Sequence, residues 1–228
     1  MFMRNDSIHD CGRLTLLSMH QVNDPALIST LPPHLVSVYQ LIAQWITSYL
    51  MSNHAELGRA GDVCPFTAHA ARLDTIRIGA SDAACSDNNT IKSMVRYCFE
   101  QFALIPAAPS AAQFRAIIIG FANLSSDRGI ACLRIAQSQL KYDCLRRGLM
   151  LGRFEPNSTA RGLCNPDFRP LRSPIPLLAI REIVENDAAF AVRHPLLIPA
   201  YLYKYPAAGL KRLLTQTIKK FWPAHVGY

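Results

Sequence analysis

The stretch from Arg115 to Phe121, with Ile117-Ile118-Ile119 at its centre, constrains this chain more than any other segment. Consecutive β-branched residues suit a pleated strand and crowd a helical turn. Helical patterns flank the run on both sides. Upstream, Asp87-Asn88-Asn89-Thr90 supplies side-chain acceptors that cap a helix running to about Phe102, and Pro106 to Ser110 breaks it. Downstream, Asp127 caps a long helix ending near Arg147, with Gly148 as its stop.

The same reasoning extends along the chain. Pro32-Pro33 starts a helix, where proline's fixed φ and missing N–H cost little. The apolar positions Leu35, Val38, Leu41, Ile42, Trp45, Ile46, Tyr49 and Leu50 then fall at three- and four-residue spacing on one face. The polar residues among them argue against a membrane span. Asn53 to Phe66 reads as a loop, Thr75 to Ile78 as a strand, and Leu149 to Phe154 as a strand. Pro176 to Ile183 is a fourth strand or a helix start, and the chain beyond Glu185 is mainly helical. This order predicts an α+β layered sandwich: a small mixed sheet of about four strands with helices packed on it. Residues 1–30 have weak periodicity and are expected to form an arm, with 31–228 as a single domain.

Composition supports a packed domain. Half of the 228 residues are hydrophobic and 18% are charged. A mean hydropathy of +0.10 fits a large core, an apolar cavity or a homo-oligomer interface. The first residues lack the uninterrupted apolar core of an export signal. Seven scattered cysteines without a Cys-x-x-Cys pair read as reduced thiols in a cytoplasmic protein. No serine-hydrolase elbow, phosphate-binding loop, dinucleotide fingerprint or zincin motif occurs, which argues against those classes.

The net charge is +8, and no acidic residue follows Asp187. Lys211, Arg212, Lys219 and Lys220 lie beside Phe221 and Trp222. Basic residues next to aromatics can hold single-stranded nucleic acid. Leu210, Leu213, Leu214, Thr217, Ile218 and Phe221 form an amphipathic stripe, however, so a packed terminal helix is the simpler expectation and nucleic acid is disfavoured. An anionic ligand or acidic partner would also suit the charge.

Two segments could carry chemistry. The first is Arg59-Ala60-Gly61-Asp62-Val63-Cys64-Pro65-Phe66, followed by His69. Cys64 could act as a nucleophile with His69 as base, a cofactor-free cysteine enzyme, or serve as a buried structural thiol. The second runs from Gly148 through Phe168-Arg169-Pro170-Leu171-Arg172-Ser173-Pro174 to Arg181. Arg153, Arg169, Arg172 and Arg181 present planar forks suited to carboxylates. A loop as long as Pro156 to Pro174 is often functional.

Cys64-Pro65-Phe66, together with Phe168-Arg169-Pro170-Leu171-Arg172-Ser173-Pro174-Ile175-Pro176-Leu177-Leu178-Ala179-Ile180-Arg181, resembles a bacterial domain of unknown function whose members are often encoded near natural-product genes. That family is distantly similar to the YqcI/YcgG family, some members of which are haem-dependent oxygenases. The resemblance implies an oxygenase or peroxygenase acting on a small amino-acid-like substrate. Cys64 would be the iron ligand, with His69 and His194 as alternatives. Arg153, Arg169, Arg172 and Arg181 would bind propionates or a substrate acid, and Phe66 and Phe168 would wall the site. The chain departs from the family pattern at Glu155, where histidine is common. His225 is a further candidate ligand. The two segments are expected to meet in space, with no membrane involved.

Overall fold

A computed structural model describes residues 14–83 and 88–221. Strand β3 (Ala116–Phe121) lies at the centre of one five-stranded sheet of order β1-β2-β3-β5-β4. β2 (Ile76–Ser81) runs parallel to it, from Ile76 opposite Ala116 to Ser81 opposite Phe121. β5 (Leu177–Glu182) flanks its other side antiparallel, and β4 (Leu149–Phe154) pairs antiparallel with β5 at the edge. β1 (Leu17–Ser18) closes the opposite edge against β2. The mixed α and β class expected from the sequence is present, with one strand more than about four. The segment from Pro176 to Ile183 resolves as a strand.

Alternation along β3 divides the core in two. Ile117, Ile119 and Phe121 face α5 (Asn88–Leu104) and α6 (Asp127–Arg146), where they pack with Phe99, Leu133 and Leu140. Ile118 faces the other way and joins Ile76, Ile78 and Leu177 beneath α3 (Pro33–Trp45). Gly120 permits that close packing: a Cβ there would lie 2.5 Å from the Ile42 side chain. The predicted start of α6 shifts by one residue, because Ser126 rather than Asp127 caps it, its hydroxyl accepting from the Gly129 N–H at 3.2 Å. Gly148 ends the turn after α6 with φ +70°, the left-handed geometry that glycine tolerates best. The capping residue expected at Asp87 lies outside the described residues.

The described part of the N-terminal arm contributes to the core. It holds β1, α1 (Met19–Val22) and α2 (Pro25–Ile28), and buries Leu17, Met19, Val22 and Ile28. Short elements of this kind leave too few positions for periodicity to show. α4 (Thr67–Arg72) follows the first loop. At the other end, α7 (Ala188–Arg193), α8 (Ile198–Lys204) and α9 (Pro206–Phe221) form a third cluster with Leu145 and Ile183. Among the described residues, no helix is long and apolar enough to cross a membrane.

Candidate ligand site

After Trp45 the first long helix continues as a π-helical turn, Ile46–Leu50, closed by the Met51 N–H donating to the Ile46 carbonyl at 3.0 Å. Such wide turns are costly and recur at functional positions. Hydroxyls support this one: Thr47 donates to the Gln44 carbonyl at 2.9 Å and Ser48 to the same oxygen at 2.7 Å. The turn directs Tyr49 at the long loop of residues 155–176, where its hydroxyl donates to the Arg169 carbonyl at 3.1 Å. One turn earlier, the Trp45 indole N–H donates to the Arg172 carbonyl at 3.2 Å, and its ring meets Phe154 edge-on at 5.2 Å.

Two adjoining depressions lie along this seam. One, of about 410 Å³, is mainly apolar and is lined by Leu41, Trp45, Tyr49, Pro174 and Arg172, with Gln44, Ser48 and Ser173 at its margins. The other, of about 280 Å³, is mainly polar and is lined by His54, Glu56, Asp167, Phe168, Arg169 and Arg172, with Tyr49 shared. Tyr49 and Arg172 thus join the two. Burial pushes the Tyr49 phenol above its ordinary pKa, while the Arg172 charge pulls the other way. Tyr49 is therefore a neutral wall near neutrality.

The loop just before the Cys64 segment, at residues 54–58, meets the arginine-rich loop. The Asn165 amide donates to the Glu56 carbonyl at 2.7 Å, and the His54 and Phe168 rings lie 4.8 Å apart. Gly58, at φ +74°, sits so close to Cys164 and Asn165 that a Cβ would approach them to 3.1 Å. Within the loop, the Gly162 N–H donates to the Phe168 carbonyl at 2.9 Å, and Phe168 plugs the core at 5% exposure.

The individual candidates separate into those at the seam and those elsewhere. Arg172 and Phe168 line the polar depression, and Arg169 lines it while its guanidinium braces the loop carbonyl of Pro166 at 2.6 Å. Arg153 instead pairs with Glu155 at 3.1 Å beside α6, and desolvation lowers its pKa despite that partner. Glu155 is thus an ion-pair partner. Arg181 makes a two-pronged bond to Asp187 at 2.7 and 2.8 Å. Its desolvation is outweighed by that carboxylate, so its pKa rises. Phe66 packs near Phe114, and the His69 ring meets Phe114 at a tilt, 4.3 Å away, while His69 contacts Arg72 at 3.2 Å. Cys64 is half-buried against the core, and among the described hydrogen bonds none joins it to His69. Arg59 holds the carbonyls of Ala60, Asp62 and Val63, bracing the loop before Cys64. His194 is exposed after α7, its pKa lowered by desolvation, then by Lys141 and Arg193. His225 lies outside the described residues.

Tested against a haem, the described residues at the two depressions do not fit. Neither depression is lined by Cys64, His69 or His194. The histidine at the polar depression, His54, accepts the Glu56 N–H at Nδ1, which commits the lone pair of that nitrogen. Two of the four arginines are held by buried or half-buried carboxylates. As a matter separate from haem, whose iron takes a single axial side chain, no group of three or more His, Cys, Asp or Glu among the described residues is arranged to hold a metal ion. Trp45, Tyr49, His54, Glu56 and Asp167 line the seam without belonging to either motif. The first two looked like core positions on an apolar helical face, and the signal for the other three was only their place in the loops.

Fold and site define a mixed α/β protein with a single open sheet and a surface seam between its first long helix and an arginine-rich loop. The chain belongs to the family described as Domain of unknown function (DUF6875), whose model matches residues 39–216 and so spans both loops and the seam. No curated protein and no solved structure matches it.

Proposed function

We propose that the seam binds a small amino-acid-like molecule. The observation that carries this is the pairing of the two depressions across Tyr49 and Arg172: one apolar, the other bearing both signs of charge. A zwitterion needs an arginine fork for its carboxylate and an acidic group for its ammonium. Arg172 supplies the first. It is exposed, and no described hydrogen bond or ion pair engages its guanidinium. Asp167 and Glu56 supply the second. A flat or aliphatic side chain would lie along Trp45, Leu41 and Pro174, where burial of apolar surface adds affinity.

The chain has two tryptophans, so Trp222→Phe leaves Trp45 as sole fluorescent reporter in the apolar depression. L-Phenylalanine, phenylalaninamide and 3-phenylpropionate are titrated as probes. The expected result is a Trp45 response to the amino acid. Removing either charge from the ligand, or making Arg172→Ala, weakens binding by about tenfold or more, the range for a charge-assisted hydrogen bond. Binding that ignores Arg172→Ala, or no response to any probe, overturns the reading. Haem-dependent oxygenation, which the resemblance implies, is tested on the same protein by haem titration. A Soret band that vanishes in Cys64→Ala would restore it; the donor geometry leads us to expect none.

A further inference from the structure

Among the described residues, one side of helix α9 is left uncovered. Leu213 packs inward at 8% exposure, and Gly209 lies against the Tyr201 ring, where a Cβ would approach to 2.9 Å. Leu210, Leu214 and Ile218 stand 52%, 58% and 63% exposed. Their four-residue spacing places them along one side of the helix. Of the stripe expected to pack, the structure therefore covers only part. Leu196 and Tyr203, on neighbouring segments, are 74% and 93% exposed. Apolar exposure on this scale marks an interaction surface.

Charge indicates what covers it. The sequence after Asp187 has Arg193, Lys204, Lys211, Arg212, Lys219 and Lys220 and no acidic residue. Lys204 is held by Glu182 at 2.5 Å, and Arg212 by Glu185 at 2.6 Å. Lys211 is exposed on α9 itself. A second copy of the same basic surface would repel this one, whereas an anionic surface would attract it. An exposed apolar stripe on a helix whose charged residues are all basic is the mark of a segment that lies in a membrane interface.

We propose that α9 docks this protein on an anionic bilayer surface, with Leu210, Leu214 and Ile218 entering the headgroup boundary and Lys211 meeting lipid phosphates. This is peripheral contact, compatible with the absence of a spanning helix among the described residues. The test is co-sedimentation of the full chain with vesicles of phosphatidylcholine alone and of an equimolar mixture with phosphatidylglycerol. Binding is expected to the mixed vesicles only. It should fall as salt rises from ~0.1 M to ~1 M, which shortens the Debye length from about 10 Å to about 3 Å.

Lys211→Glu should weaken partitioning about fivefold or more, the effect of one basic residue near such a surface. The triple variant Leu210→Ser, Leu214→Ser, Ile218→Ser keeps every charge and changes only exposed side chains. It should lose binding by about tenfold or more, given the apolar area removed. Its circular dichroism should match the parent. Three results overturn the proposal. The first is no sedimentation with anionic vesicles. The second is binding unchanged in the triple variant, which means charge alone acts. The third is a stable dimer in light scattering that the triple variant dissolves, which assigns the stripe to a second copy.

Discussion

At Gly129, residue type and position pull in opposite directions. Glycine inside a helix costs roughly 1 kcal/mol relative to alanine, so propensity alone recommends Gly129→Ala as stabilising. The structure reverses that expectation. Gly129 sits in the first turn of α6, and a Cβ there would lie 2.5 Å from the Leu124 carbonyl oxygen and 2.6 Å from its Cα. Those are backbone atoms of the fully buried Leu124, which cannot swing aside as a side-chain tip could. Overpacking of this kind costs about 1–3 kcal/mol. Gly129→Ala should therefore lower the urea midpoint, with an unchanged slope; a raised midpoint would show that the loop before α6 yields easily. Ser126, extended at the N-cap position three residues earlier, is placed for its hydroxyl to accept the Gly129 N–H.

At the scale of elements, the site depends on how the helix after Pro33 is fastened to the long loop. Two bonds do this, from Trp45 and from Tyr49, to carbonyls of Arg172 and Arg169. Tyr49→Phe removes one of them and keeps the ring. The loss is about 1 kcal/mol, or roughly fivefold in local opening of the loop. Trypsin cleavage after the exposed Arg161 should accelerate by about that factor, with little change in the global melting temperature. An unchanged cleavage rate would mean that Phe168 and the Asn165 contacts hold the loop by themselves.

Here the limit of sequence reading has a physical cause. The helix itself was legible from its apolar spacing, and both loops from glycine and proline. The π-helical turn was not, because one inserted residue barely disturbs that spacing, yet it re-aims Tyr49. The role of the loop arginines was legible only as a type. Arg172 is exposed at the seam, while Arg153 and Arg181 are ion-paired, and only the fold decides which carboxylate each one meets.

The whole molecule is two cores on one sheet with a helical annex, and its regular parts follow from pattern. β3, β4, α5 and α6 fall within one or two residues of their expected bounds, since long periodic or β-branched runs override weaker signals. The core around β3 also makes stability depend on pH. Cys98 on α5 and Cys144 on α6 are 0% and 1% exposed, and burial pushes both thiols up to about 12. Unfolded, each titrates near 8.5. A raised native pKa favours the protonated form in the fold, so this contribution is fully present below about pH 8.5 and is lost as pH climbs toward about 12. Across that window the unfolded chain binds fewer protons, and each thiol lowers stability by about 1.4 kcal/mol per pH unit. Tyr39, a buried residue of α3 itself, is shifted the same way by desolvation. Urea midpoints should therefore fall steeply between about pH 8 and pH 10, and the slope should flatten in Cys98→Ala, Cys144→Ala protein. Equal midpoints at the two pH values in the parent would show that hydroxide and water reach these thiols in the folded state, and that the α5–α6 face of the sheet opens far more readily than its packing implies.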